Sequence, residues 1–162
     1  MREIVLRAAG AVLLVGAAML WGLWEIGEGR RRIRELEAAQ SLCRFICENI
    51  ERLSRPLSGI YEAFEDPVLE ENGFLPALRK EGFRAALGRA RWRLSGGERA
   101  ILSEFADGLG RGFREEQTAL CRYTGDRLGD ALETLRRGQK DRERLWRAIP
   151  VLFALSLLLL LV

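Results

Sequence analysis

Cys43, Cys47 and Cys121 are the three cysteines of a chain that has no histidine, and they carry its most reactive side chains. Cys43 and Cys47 stand at i and i+4 on one helical face, which is half of a metal site. Tetrahedral zinc takes about four nitrogen or sulfur ligands, and Cys121 cannot complete the set alone. The cysteines are odd in number, have no CxxC spacing and fall on apolar helix positions. That pattern predicts free, buried thiols in a reducing compartment, with no metal and no cofactor.

Other chemistry is equally thin. Without histidine the usual general base is missing, no glycine-rich phosphate loop ends in Lys and Ser or Thr, and no serine sits in a nucleophile elbow. Gly96 and Gly97 fall at a helix start, where cap geometry accounts for them. The carboxylate pairs Glu70 with Glu71 and Glu115 with Glu116 lie among solvated charge, unlike acid–base pairs. The expectation is a protein that is not an enzyme.

Charge is patterned more strongly than chemistry. Glu62, Glu65, Asp66, Glu70 and Glu71 form an acidic block, followed by a basic block of Arg79, Lys80, Arg84, Arg89, Arg91 and Arg93, relieved only by Glu81. Blocks of one sign often mark an interaction surface, here a surface for an acidic partner. The competing reading is that the two blocks pair with each other or are solvated faces. Phe83 and Trp92 are better placed as core residues than as stacking platforms, so no nucleic acid is expected. The formal net charge of +3 is mostly arginine, with Lys80 and Lys140 the only lysines.

The elements that position these groups are helical throughout. From Ile33 the apolar positions Leu36, Ala39, Leu42, Cys43, Ile46, Cys47, Ile50 and Leu53 draw one stripe at three-and-four spacing. Ser54, Arg55 and Pro56 stop that helix and open another, faced by Leu57, Ile60, Tyr61 and Phe64. Asp66 with Pro67 begins a short element that Asn72 and Gly73 end. A stretch from Phe74 to Leu87 follows, with Gly82 its weak point. Ser95 and Glu98 have capping-box spacing, which predicts a helix from there to Gly108. Glycines 108, 110 and 112 make a turn. Phe113, Leu120, Cys121, Tyr123, Leu128, Ala131, Leu132 and Leu135 then mark one long last helix, whose stripe Gln117 and Thr124 interrupt in favour of intramolecular packing. No run of alternating β-branched residues predicts a strand.

Both ends are apolar. Ala8 to Trp24 carries no ionised side chain, and Ala148 to Val162 is leucine-rich and about 22 Å long as a helix, against roughly 30 Å of hydrocarbon core. The first is expected to be an uncleaved anchor rather than a signal peptide, because it ends in Trp21, Trp24 and Glu25 with no small-residue cleavage site. Arg30, Arg31, Arg32 and Arg34 follow it; Lys140, Arg142, Arg144 and Arg147 precede the second. The positive-inside rule then puts the middle in the cytoplasm, with Trp21, Trp24, Arg30, Arg31, Arg32, Trp146 and Arg147 at the membrane interface. The fold expected is all-α: a transmembrane helix over 1–26, a cytoplasmic helical bundle over 27–147 and a transmembrane or membrane-embedded helix over 148–162. Its two long helices should pack antiparallel with the short ones bundled on them. Gly27 and Gly29 mark a hinge between span and bundle.

Several stretches in this order carry a resemblance: IRELEAAQSLCRFICENIERLSRPLSGIYEAF with its Arg55, Pro56, Leu57 turn, then LSGGERAILSEFADGLGRGFREEQTALCRYTGDRLGDALE with the Leu109, Gly110 turn and Gln117. Placed between two apolar ends, they resemble stage III sporulation protein AB of endospore-forming bacteria. The resemblance implies a component of the sporulation channel in the mother-cell membrane around the forespore. It also implies a domain similar to the cytoplasmic domain of the type II secretion and type IV pilus platform protein, acting as a scaffold between a secretion-type ATPase and membrane components. No catalytic residue comes with it. Two alternatives share the composition: a membrane-anchored regulatory binding module unrelated to secretion, and a self-associating structural membrane protein. Ala18 and Gly22 at small-xxx-small spacing support the second as a homo-oligomer.

Overall fold

The computed structural model describes the backbone of residues 2–53 and 56–161, and the side chains of 16, 17, 20, 22, 24–51 and 56–146. Among the described residues seven helices follow in order: α1 (Arg2–Leu53), α2 (Leu57–Ala63), α3 (Pro67–Glu71), α4 (Phe74–Glu81), α5 (Phe83–Arg89), α6 (Gly96–Gly108) and α7 (Arg114–Leu161). Among the described residues there is no strand, as the sequence pattern predicts. The chain divides into two compact units, Arg31–Arg136 and a second made of Met1–Arg30 with Arg137–Val162.

Short-range signals explain most helix ends in the first unit. Asp66 caps α3 by accepting from Val68 N at 2.9 Å and Leu69 N at 3.0 Å, with Pro67 in the first turn, where a missing N–H costs nothing. Gly82 separates α4 from α5 at φ 85°, a region that side chains with a Cβ avoid. Ser95 and Glu98 form the full capping box: Glu98 N donates to the serine hydroxyl at 3.3 Å and Ser95 N donates to the Glu98 carboxylate at 2.7 Å. The Arg55 half of the turn before α2 lies outside the described residues.

The core is apolar and aromatic. Leu36, Leu42 and Ile46 from α1 are buried, as are Phe74, Leu75 and Leu78 from α4, Leu102 and Phe105 from α6 and Leu128 from α7. Phe83 meets Phe74 edge-on at 5.3 Å and Phe105 at 5.5 Å, while Trp92 packs against Phe74 at 5.0 Å. Phe83 and Trp92 are thus core residues.

In this unit α1 and α7 run antiparallel, since Glu37 pairs with Arg136 at 2.5 Å and Cys47 bonds Cys121 further along α1. That disulfide corrects the expectation of three free thiols. It closes a sequence separation of 74 with a Cα–Cα distance of 5.8 Å. Tertiary packing of two helices brings the sulfurs together, which spacing along either helix cannot report. Cys43 alone is free, and burial pushes its thiol up to about 12. It is therefore protonated at neutral pH and a poor nucleophile.

Two residues counted with the last apolar stripe lie outside it. Phe113 precedes α7 and is 78% exposed; Tyr123 is 53% exposed, with the Arg127 guanidinium 5.4 Å from its ring centre. Gly110 and Gly112, at φ 75° and 86°, reverse the chain before Phe113, so its position is set by the turn and not by helical periodicity. Gln117, which breaks the stripe, is buried for a reason. Its amide donates to Gly108 O at 2.9 Å and to Arg111 O, and accepts from Gly110 N at 3.0 Å.

The second unit is an antiparallel pair of helix segments. Arg30 pairs with Glu143 and Arg142 with Glu25, each at 2.9 Å, and Gln139 donates to Ile26 O at 3.1 Å. Gly27 and Gly29 do not interrupt α1, which passes both unbroken. A helical glycine costs only about 1 kcal/mol against alanine, less than breaking a helix flanked by good formers. Gly22 and Gly29 instead permit close approach: a Cβ at Gly22 would strike the Trp146 ring, and one at Gly29 the Gln139 amide. Leu20, Trp24 and Leu145 are 70%, 64% and 66% exposed. Among the described residues no helix is long and apolar enough to cross a membrane. Most side chains of the segment 8–24, all of those of 148–162, and the interface candidates Trp21 and Arg147 lie outside the described residues.

Candidate functional site

The extended segment after α5 carries Arg91, Trp92 and Arg93, and two long-range bonds hold it. Arg91 N donates to Asn72 O at 3.0 Å, and Arg93 N donates to the Glu35 carboxylate at 2.7 Å. Glu35 is 4% exposed on α1, so a buried acid fixes the segment against the helix. The result is a cavity of about 530 Å³ onto which Arg31, Arg34, Arg91 and Arg93 converge, with Val68 and the Trp92 ring as apolar wall. Two carboxylates, Glu35 and Glu71, also line it.

Two donors in that wall are orphaned. Trp92 Nε1 and Asn72 Nδ2 are buried and meet no acceptor among the described residues. The Asn72 amide cannot turn to relieve this, because its Oδ1 already accepts from Phe74 N at 2.9 Å. Buried donors without partners are uncommon in folded proteins.

The basic block divides. Arg79 pairs with Glu70 of the acidic block at 3.3 Å and donates to Phe64 O at 3.0 Å. Arg84 pairs with Asp107, and Arg89 with Glu81 at 2.8 Å. Lys80 is exposed, while Arg91 and Arg93 line the cavity. The block is therefore neither one continuous face nor wholly paired with the acids. Of the interface candidates, Arg30 holds Glu143, Arg31 lines the cavity, and Arg32 binds Glu98 through two bonds of 3.1 and 2.6 Å. Trp146 packs on Gly22, and Trp24 is exposed.

Glu98 thus does more than cap α6. Its carboxylate, 6% exposed, joins the start of α6 to α1, whereas Arg32 is 33% exposed. Arg32→Ala would leave a buried carboxylate without its counter-charge, and urea unfolding is expected to register a loss of about 2–3 kcal/mol. Glu70→Ala, which breaks the more exposed pair with Arg79 and leaves the Arg79 bond to Phe64 O, should lose only about 0–1 kcal/mol. Equal losses would refute the structural role of the Arg32 pair.

The sequence signalled Arg91 and Arg93 through the basic block and Trp92 as an apolar residue, but not the participation of Arg34, Asn72 and Glu35. Asn72 reads locally as a helix stop, and only the tertiary fold brings it to the cavity lining. No group of residues able to hold a metal ion occurs among the described residues. In comparison with known proteins, the family model described as stage III sporulation protein AB matches residues 78–162. No curated protein and no solved structure matches the chain.

Proposed function

The chain belongs to the stage III sporulation protein AB family and is a sporulation-related protein, and from that premise we propose that it is a non-enzymatic membrane scaffold of a sporulation channel. In this reading it links a secretion-type ATPase to membrane components, with the Arg31–Arg136 unit as a cytoplasmic docking bundle and the apolar ends as anchors. The family match carries the proposal. The exposed Leu20, Trp24 and Leu145 support membrane contact, and arginines on the bundle side of both apolar ends support a cytoplasmic bundle. The likeness to the type II secretion platform domain belongs to the same proposal. The partner surface is the basic block, which offers charge to an acidic protein. Affinity purification of the full chain from sporulating cells should recover an ATPase together with membrane channel proteins; recovery of neither overturns the scaffold role.

The Cys47–Cys121 bond favours a second reading, in which the bundle lies on the oxidising side of the membrane. A cysteine at exposed Glu65, in a Cys43→Ala background, separates the two. The cytoplasmic reading expects a membrane-impermeant maleimide to label it only after cells are permeabilised. Labelling of intact cells would establish the inverted topology instead.

A further inference from the structure

We propose that the Cys47–Cys121 bond is a thiol–disulfide exchange site, open in the folded chain to a dithiol that attacks at Cys47. Such a site goes beyond the scaffold role and is available on either face of the membrane. Both cysteines line a cavity of about 380 Å³ between α1 and α7, together with Thr118 and Gly125. Cys47 is half-buried, against 9% exposure for Cys121 and 3% for Cys43, so it is the sulfur a reagent meets first. The charged lining is balanced, Arg44 and Arg122 against Glu51 and Asp126, and an incoming thiolate is not turned away by net negative charge. In the exchange, the thiolate bonds to Cys47 Sγ as the bond to Cys121 breaks, and Cys121 leaves as a thiolate that takes a proton. The second thiol of the reagent then displaces Cys47 in the same way. The chain gains two electrons and two protons, and the dithiol is oxidised to its own disulfide. That second thiol has to come with the reagent, because Cys43, about one turn from Cys47, is buried and protonated at neutral pH. With α1 and α7 packed through Ile46 and Leu128, the released thiols stay opposite each other, and the reverse exchange restores the same pair.

The test is the rate at which dithiothreitol reduces the full chain in uncharged detergent, in a Cys43→Ala background, read by acid quenching and a maleimide gel shift in denaturant. The rate is expected to rise in proportion to dithiothreitol and to change by less than about twofold across urea concentrations below the unfolding transition. A rate that climbs steeply with urea, or that levels off as dithiothreitol is raised, means that only the unfolded chain reacts and overturns the site. A Cβ at Gly125 would meet nothing within 4 Å, so Gly125→Leu has room to enter the cavity and should slow reduction about tenfold. Gly138 is equally open but does not line the cavity, and Gly138→Leu should change the rate by less than about twofold. Thermal melts of the oxidised variants identify any change due to folding. Equal rates in the two variants overturn entry through the cavity. Glutathione, a monothiol, should leave a mixed disulfide that mass spectrometry finds on Cys47; one mainly on Cys121, or on neither, overturns attack at Cys47.

Discussion

Truncating Leu128 to alanine should destabilise the Arg31–Arg136 unit by about 2–5 kcal/mol, and Ile46→Ala should act similarly. Leu128 and Ile46 are both 0% exposed, one on α7 and the other on α1, in a core closed by aromatic rings and a disulfide. Helices so bound cannot collapse into the space a missing side chain leaves, so the cost includes both lost transfer energy and a residual cavity. Leu135, only partly buried against the same core, is the control and should lose about half as much or less when truncated. Urea midpoints of the full chain in detergent provide the measurement. Leu128→Ala and Leu135→Ala with equal midpoints would refute the packing of α7 on the core.

The second large effect belongs to the bond between α1 and α7. Closing a loop across a separation of 74 residues restricts the unfolded chain, and the chain-entropy account puts the stabilisation at about 4 kcal/mol. Dithiothreitol is therefore expected to lower the melting temperature of the native chain. The shift should vanish in Cys121→Ser and persist in Cys43→Ala. Cys43 should not rescue the pair by exchange near neutral pH, because its buried thiol stays protonated up to about 12. A melting temperature insensitive to reductant would remove the disulfide from the folded protein.

What the sequence made legible was local. The capping box at Ser95 and Glu98, the cap at Asp66, the break at Gly82 and the glycine reversal before Phe113 all depend on residues within about one helical turn, where spacing and side-chain chemistry act directly. The stripes on α1 and α7 were legible for the same reason, since a helix repeats its face every few residues. Pairings across the fold were not. Cys47 with Cys121, Arg32 with Glu98, and Glu35 with the backbone of Arg93 join positions 58 or more apart, and nothing along the chain says which helix faces which. Gly29 shows that a glycine that loosens an isolated helix can also be the place where a neighbour fits closely, whereas Gly27 has open space beside it. The basic block was visible as charge, but which of its arginines pair with Glu70 and Asp107 and which line the cavity depended on where those acids and Asn72 came to lie.

The amide of Gln117 has a consequence for where the protein can work. The Gly108–Arg111 part of the reversal between α6 and α7 is held by a neutral group that donates to Gly108 O and Arg111 O and accepts from Gly110 N. Aspartate, glutamate, lysine and arginine each lack either the donors or the acceptor, and serine lacks the reach. A lock without charge is not weakened by ions or by protonation, unlike the arginine–carboxylate pairs elsewhere in the unit. The Gly108–Arg111 part of the turn therefore keeps its bonds without any charged partner, whereas at its far end Phe113 N donates to the Glu116 carboxylate.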